Sequence, residues 1–155
     1  MTADAAGEII RRNRFLVLGT ADEDGVPWVS PVWFATADGR EFLWASAPEA
    51  RHSRNLAARP EIGVVIFDST APPAAAQAFY ASAVAEQVDG DAVDRALEVY
   101  SGHSVAQGLA AWTAAGVTAP ARHRLYRATL QECFVLRARR DRRVAVPGLG
   151  TRAAS

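Results

Sequence analysis

The stretch Phe42–Asp68, FLWASAPEARHSRNLAARPEIGVVIFD, passes from a compact apolar run through a polar segment into a second apolar run. With Arg40 and Glu41 in front, the first run predicts a strand over REFLWAS. The second, EIGVVIFD, predicts a strand buried on both faces, because its apolar residues follow one another with little interruption. Between them, Ser46 followed three residues later by Glu49 fits a capping box. Pro48 suits a first turn and Pro60 stops the chain, so a short helix is predicted from Ser46 to Arg59. Two basic side chains, Arg51 and His52, fall near the start of that helix, where the positive end of the macrodipole disfavours cations unless an anion sits among them. Unpaired first-turn amides, the Ser46 hydroxyl and the planar fork of Arg51 together describe an anion site.

Working outward, REFLWAS is preceded by an Asp38-Gly39 turn, VPWVSPVWFA, an Asp24-Gly25 turn and the apolar run RFLVLGT. Three strands joined by Asp-Gly turns predict an antiparallel meander. In the middle strand Trp28, Ser30, Val32 and Phe34 share one face, while Val29 and Trp33 take the other. A short helix precedes them over Glu8–Arg14. Downstream, the Pro-rich STAPPAAA leads into a longer strand, AAAQAFYASAVAEQV. Val93, Ala96, Leu97 and Tyr100 then form a helical stripe, and Val105, Leu109 and Trp112 continue it into a second helix closed by Gly116. HRLYRATLQECFVLRAR alternates as a last strand with Tyr126, Ala128 and Leu130 on one side. About six strands with peripheral helices predict a mainly β, α+β fold: a closed or nearly closed antiparallel barrel in one domain spanning 1–155. The core covers about 8–140, and the polar tail 141–155 is expected to fray.

At 155 residues, 50% of them apolar, the chain is long enough for one sizeable core and short for two. Acidic and basic residues balance at 17 each, so no overall field draws it to nucleic acid or an anionic membrane. No apolar run is long enough for a signal peptide or membrane span, and one cysteine excludes an internal disulfide; a cytoplasmic protein is expected. Cys133 sits in an apolar strand and reads as an inert thiol. His52, His103 and His123 fall on separate elements, so no metal site is expected. The nucleophile elbow, the P-loop, the dinucleotide glycine fingerprint and H-E-x-x-H are all absent.

GTADEDGVPWVSPVWF, FLWASAPEARHSRNLAARPEIGVVIFD and YASAVAEQV together resemble the pyridoxamine 5'-phosphate oxidase-like split β-barrel family of flavin and deazaflavin oxidoreductases, which work as homodimers. The match is closest from Arg14 to Val88, and its most specific piece is the Arg-bearing helix start, "NL" and then Pro just before a buried strand. The resemblance implies a cofactor-binding set. Ser30, Pro31, Val32 and Trp33 would lie beside the isoalloxazine ring, and Ser46, Arg51 and His52 would hold the phosphate. It also marks departures: where the oxidase proper has basic residues, this chain has Ser30 and Ala35, and His52 stands in place of Lys. Vitamin B6 oxidation is therefore not expected.

The leading expectation is an FMN-dependent oxidoreductase with its cofactor at a homodimer interface and a small-molecule substrate; no catalytic acid or base can be named. One alternative keeps the fold and uses the deazaflavin coenzyme F-420, whose anionic tail would meet the cluster Arg137, Arg139, Arg140, Arg142 and Arg143. Another is a non-enzymatic carrier that binds flavin or haem in the same cleft. Trp28, Trp44 and Trp112 read as core or dimer interface.

Overall fold

The computed structural model describes residues 2–137 and 142–152. In chain order the elements are α1 Thr2–Arg12, β1 Phe15–Ala21, β2 Pro27–Trp33, β3 Glu41–Ser46, α2 Arg51–Ala58, β4 Glu61–Phe67, β5 Ala78–Gln87, α3 Ala92–Ala106, α4 Ala114–Val117, β6 Arg124–Arg137 and β7 Arg142–Ala145. Every strand pairing is antiparallel, and the sheet runs β2-β1-β4-β5-β6-β3 with β7 added to the end of β6. The mainly β barrel with peripheral helices is therefore the fold.

The β1–β2 hairpin forms as its turn residues require. Asp22 Oδ1 accepts the backbone N–H groups of Asp24 and Val26, and Gly25 takes a φ of +83° that other residues avoid. The expected meander stops there. β2 and β3 are not ladder neighbours: they meet only at a bridge between Ala35 and Leu43, whose N–H and C=O groups exchange bonds of 2.9 and 2.8 Å. β3 instead pairs with β6 over six residues, Glu41 opposite Thr129 to Ser46 opposite Arg124. The single bridge closes the barrel at one point and leaves a split between β2 and β3.

Leu16 and Leu18 of β1, Val32 of β2 and Phe34 just after it, Phe42 and Trp44 of β3, and Ile62, Val64 and Ile66 of β4 fill the interior. α1 adds Ala6, Ile9 and Ile10, one helical stripe, where the helix meets β4, β5 and β6. A second cluster lies outside the barrel, where Val93, Ala96 and Tyr100 of α3 cover Ala35, Leu43 and Leu125.

Three further expectations change. β4 is buried on one face only: Gly63 and Phe67 are exposed on the other, because none of the described elements lies over them. The second helix does not form as expected, since α3 ends at Ala106 and Gly108, with a φ of +76°, turns the chain off the helical path. Val105 and Leu109 are left exposed, and only the short α4 follows. The tail is not loose throughout. β7 pairs with β6, Val146 enters the core, and the Thr151 and Arg152 amides bond the Leu130 and Gln131 carbonyls at 3.0 and 2.9 Å.

Candidate functional site

The predicted helix start moves by one turn. Pairing of Ser46 with Arg124 keeps Ser46 in β3, and the Ala50 amide bonds the Ala47 carbonyl at 3.0 Å in a tight turn containing Pro48. Ala50, in extended backbone, is therefore the cap; no side chain caps the helix, and the Ser46–Glu49 capping box is not formed. The first helical bond runs from the Arg54 amide to the Ala50 carbonyl at 3.0 Å, so the amides of Arg51, His52 and Ser53 precede any intrahelical acceptor. The first turn contains no acid.

α2 is fixed against the barrel by its buried face. Leu56 enters the core, and the buried Asn55 donates through Nδ2 to Thr20 Oγ1 at 3.1 Å. Thr20 Oγ1 in turn donates to the Trp28 carbonyl at 3.3 Å, which ties helix, β1 and β2 together. Arg59 closes the far end on the Glu23 carbonyl at 2.8 Å.

At the helix start the expected residues converge. Buried Ser46 shares a 2.8 Å hydrogen bond between its Oγ and His52 Nε2, and burial holds the His52 pKa below its ordinary value, favouring the neutral ring. Exposed Arg51 lays its guanidinium over the Trp28 ring, 4.3 Å from the centroid. Trp44, two residues before Ser46 on β3, stacks on Tyr126 with centroids 5.9 Å apart, the buried Ser53 side chain lies beside Tyr126, and the buried Trp44 Nε1 has no hydrogen-bond partner. Three amides ahead of the first intrahelical bond and the Arg51 guanidinium make the entrance rich in donors, with the Glu49 carboxylate near enough to Tyr126 to raise its pKa. That donor set fits an anionic group such as a phosphate.

The β2 set divides by strand alternation. Ser30 and Val32 stand on the face of Leu18 and Leu16, toward the interior, while Pro31 and Trp33 stand outside. Beyond its ladder to β1, the edge of β2 meets β3 only through the Ala35–Leu43 bridge, and Ala35 is fully buried there. Trp33 packs edge-on against Tyr100 at 5.1 Å and lies 5.3 Å from His103. Its Nε1 donates to Gln107 Oε1 at 3.4 Å, and Gln107 Nε2 donates to His103 Nε2 at 2.7 Å. Burial lifts the Tyr100 pKa to about 12 and lowers that of His103. Burial likewise raises the Cys133 thiol to about 11, consistent with an inert side chain.

The two expected groups are joined through Trp28, which sequence reading placed in the core or an interface. Its ring is partly exposed and holds Arg51 against β2. Only the alternation putting Trp28 on the face of Ser30 hinted at this. The arginine cluster does not join the site within one chain: β7 pairs with the Phe134–Arg137 end of β6, whereas Ser46 pairs with Arg124, roughly 40 Å away along the strand. Arg143 lies over the Phe134 ring at 4.8 Å, and Arg139 and Arg140 fall outside the described residues. Among the described residues no group of three His, Cys, Asp or Glu could hold a metal ion, and no helix is long and apolar enough to cross a membrane.

Residues 2–136 match a family model described as pyridoxamine 5'-phosphate oxidase. The chain belongs to the pyridoxamine 5'-phosphate oxidase-like family. No curated protein matches it. Among solved structures it is similar to a heme binding protein from Mycobacterium smegmatis, at 20% identity and a TM-score of 0.73, covering 98% of this chain and 61% of that one. HutZ, the heme storage protein from Vibrio cholerae, is similar at 22% identity and a TM-score of 0.61, with 87% and 95% covered. A Clostridium acetobutylicum protein related to general stress protein 26, of the pyridoxinephosphate oxidase family, is 11% identical with a TM-score of 0.66, covering 93% and 92%. At such identities these likenesses establish the shared fold. The family includes flavin enzymes and haem-binding proteins.

Proposed function

We propose that this chain is a cofactor-binding and carrier member of the family that holds a flavin by its phosphate at the start of α2, as a homodimer. The observation that carries this reading is the donor-rich entrance: the free amides of Arg51, His52 and Ser53 beside Arg51 and His52, with no acid in the first turn. Ser46, Arg51 and His52 would hold the phosphate, and Ser30, Pro31, Val32 and Trp33 would border the ring. Bound FMN supplies two-electron chemistry of its own, so the protein's part is to bind, orient and shield it. The missing basic groups at Ser30 and Ala35, and the lack of a positioned acid or base, favour binding over vitamin B6 oxidation. An FMN- or F-420-dependent oxidoreductase would need the same cleft plus a substrate and electron donor.

A haem reading stands second. It is supported by the names of the Mycobacterium smegmatis and Vibrio cholerae neighbours, and haem propionates are carboxylates that the same donors suit.

The dimer is argued from the exposed side of β1, β2 and β4, where Phe15, Val29 and Phe67 are 57, 66 and 47% exposed around the Gly19–Gly63 pair. An apolar patch of this kind on a sheet calls for a partner, and a second copy meets it with the same surface.

Titration of the purified protein with FMN, coenzyme F-420 and haemin, followed by absorbance and flavin fluorescence, tests the reading. Saturable FMN binding without turnover on nicotinamide donors, oxygen or enone acceptors supports the flavin carrier. Turnover supports the oxidoreductase instead, a haem-only response supports the second reading, and no response to any of the three overturns both binding readings.

A further inference from the structure

At the opposite end of β3 from Ser46, a cavity of about 600 Å³ opens between the start of β3, the β6 strand beside it and the first turns of α3. Its volume lies within the range of small-molecule sites, roughly 300–1,000 Å³. Leu43, Ala96 and Val99 give it an apolar floor. Its charged lining has both signs: Asp38, Glu41 and Asp91 on one hand, Arg95 and Arg127 on the other.

Arg127 is the informative member. It lies across the β5–β6 ladder from Glu86, and its Nη2 donates to Glu86 Oε1 at 2.5 Å. Its Nε is buried and has no partner. A buried donor left unpaired is costly, so the wall of this cavity carries an N–H that lacks an acceptor. Arg95 is exposed and makes no ion pair among the described residues. Of the acids, Asp38 uses one oxygen to accept the Arg40 amide at 2.9 Å, Asp91, at the α3 cap position, makes no side-chain cap bond, and Glu41 lies near enough to Arg127 to favour its charge.

A simple anion would satisfy the arginines but face three carboxylates. A simple cation would satisfy the carboxylates and leave Arg127 Nε unpaired. A molecule carrying both charges a few ångströms apart, with a short apolar body, meets the whole lining. We propose that this cavity binds a small zwitterion of the α-amino-acid class. Its carboxylate is taken by Arg127 and Arg95, its ammonium by Glu41 with Asp38 and Asp91, and its aliphatic side chain lies on Leu43, Ala96 and Val99. This site is separate from the α2 entrance, so neither reading depends on the other.

The test is titration of the isotope-labelled full chain with L-leucine, followed through backbone amide shifts. Saturable shifts centred on Leu43, Ala96 and Arg127, with a Kd of about 1 mM or tighter, are expected. 3-Methylbutylamine, which lacks the carboxylate, and 4-methylpentanoate, which lacks the ammonium, should each bind about tenfold more weakly or worse. Arg95→Ala and Glu41→Gln alter exposed side chains, so a well-dispersed spectrum should persist while leucine affinity falls about tenfold in each. Absence of saturable shifts, shifts centred elsewhere, either fragment binding as well as leucine, or variants that bind like the parent would each overturn the proposal.

Discussion

The two halves of the barrel's outer surface follow one physical rule with different outcomes. Over β3 and β6 the chain supplies its own cover: α3 lays Val93, Ala96 and Tyr100 on Ala35, Leu43 and Leu125 and forms a second core. Over β1, β2 and β4 no described residue does so, and Phe15, Val29 and Phe67 stand in solvent. The apolar character of β4 thus reflects a face covered within the chain and a face left open to solvent, the one proposed above to meet a second copy. Trp33 marks the border, on β2 by register but packed against Tyr100 of α3.

The largest effect belongs to the covered half. Tyr100→Ala removes a ring that meets both Trp33 and Trp112, at 5.1 and 5.4 Å, and is 4% exposed. A loss of about 3–5 kcal/mol of folding stability is expected, read as a lower urea midpoint, with association unchanged. The naked half should respond in the opposite way. Phe15→Asp combined with Val29→Asp should convert the proposed dimer to a monomer that keeps its fold, removing about 1.5–3 kcal/mol of association per buried side chain. Light scattering coupled to size exclusion checks it; a parent that is already monomeric, or a double variant that still dimerises, would count against this face as the interface.

The contrast also explains what could be read in advance. Strand positions, and the alternation of β2, were legible because local rules govern them: the Asp24-Gly25 turn fixes the first hairpin, and Val32 and Phe34 announce their face. The β3 partner was not legible. Asp38-Gly39 looks like a second hairpin turn, yet β3 gains six paired residues from β6, far along the chain, against one bridge to β2. That distant pairing also holds Ser46 in the sheet and displaces the helix start to Arg51. Of the candidate site, the convergence of Ser46, Arg51 and His52 followed from their closeness in sequence. Trp28 beneath Arg51 and the Trp33–Gln107–His103 chain depend on the closed barrel and on α3, and no spacing in the sequence announces them.

A smaller effect sharpens the difference between the α2 entrance and the α3 half. Arg51→Ala removes the exposed guanidinium proposed to meet the phosphate. FMN affinity should fall by about 10- to 100-fold, the scale of a hydrogen bond to a charged group, with folding stability nearly unchanged. Arg51→Lys should recover part of the loss, because charge returns without the planar fork. The readout is flavin fluorescence titration. Unchanged affinity in Arg51→Ala would remove the residue from the site.

The smallest effect is the pH response, in which one histidine from each half takes part. Burial lowers the pKa of both His52 and His103 in the folded chain, so the unfolded chain binds more protons as pH falls toward about 6.5. Their contribution to stability is therefore full above about pH 6.5 and is lost as pH falls through that value toward the folded pKa values. A lower urea midpoint at about pH 5.5 than at about pH 7.5 is expected, reduced when both are replaced by Gln. The ligand should then separate the two. A bound phosphate favours the charged form of His52, which it would touch, and leaves His103, held by Gln107, unaffected. Binding FMN thus takes up a proton, so affinity should rise as pH drops from about 8 to about 6.5 and level off near pH 6, where the phosphate itself gains a proton. His103→Gln should keep that slope and His52→Gln should abolish it; a slope that survives His52→Gln would mean that the anion sits elsewhere.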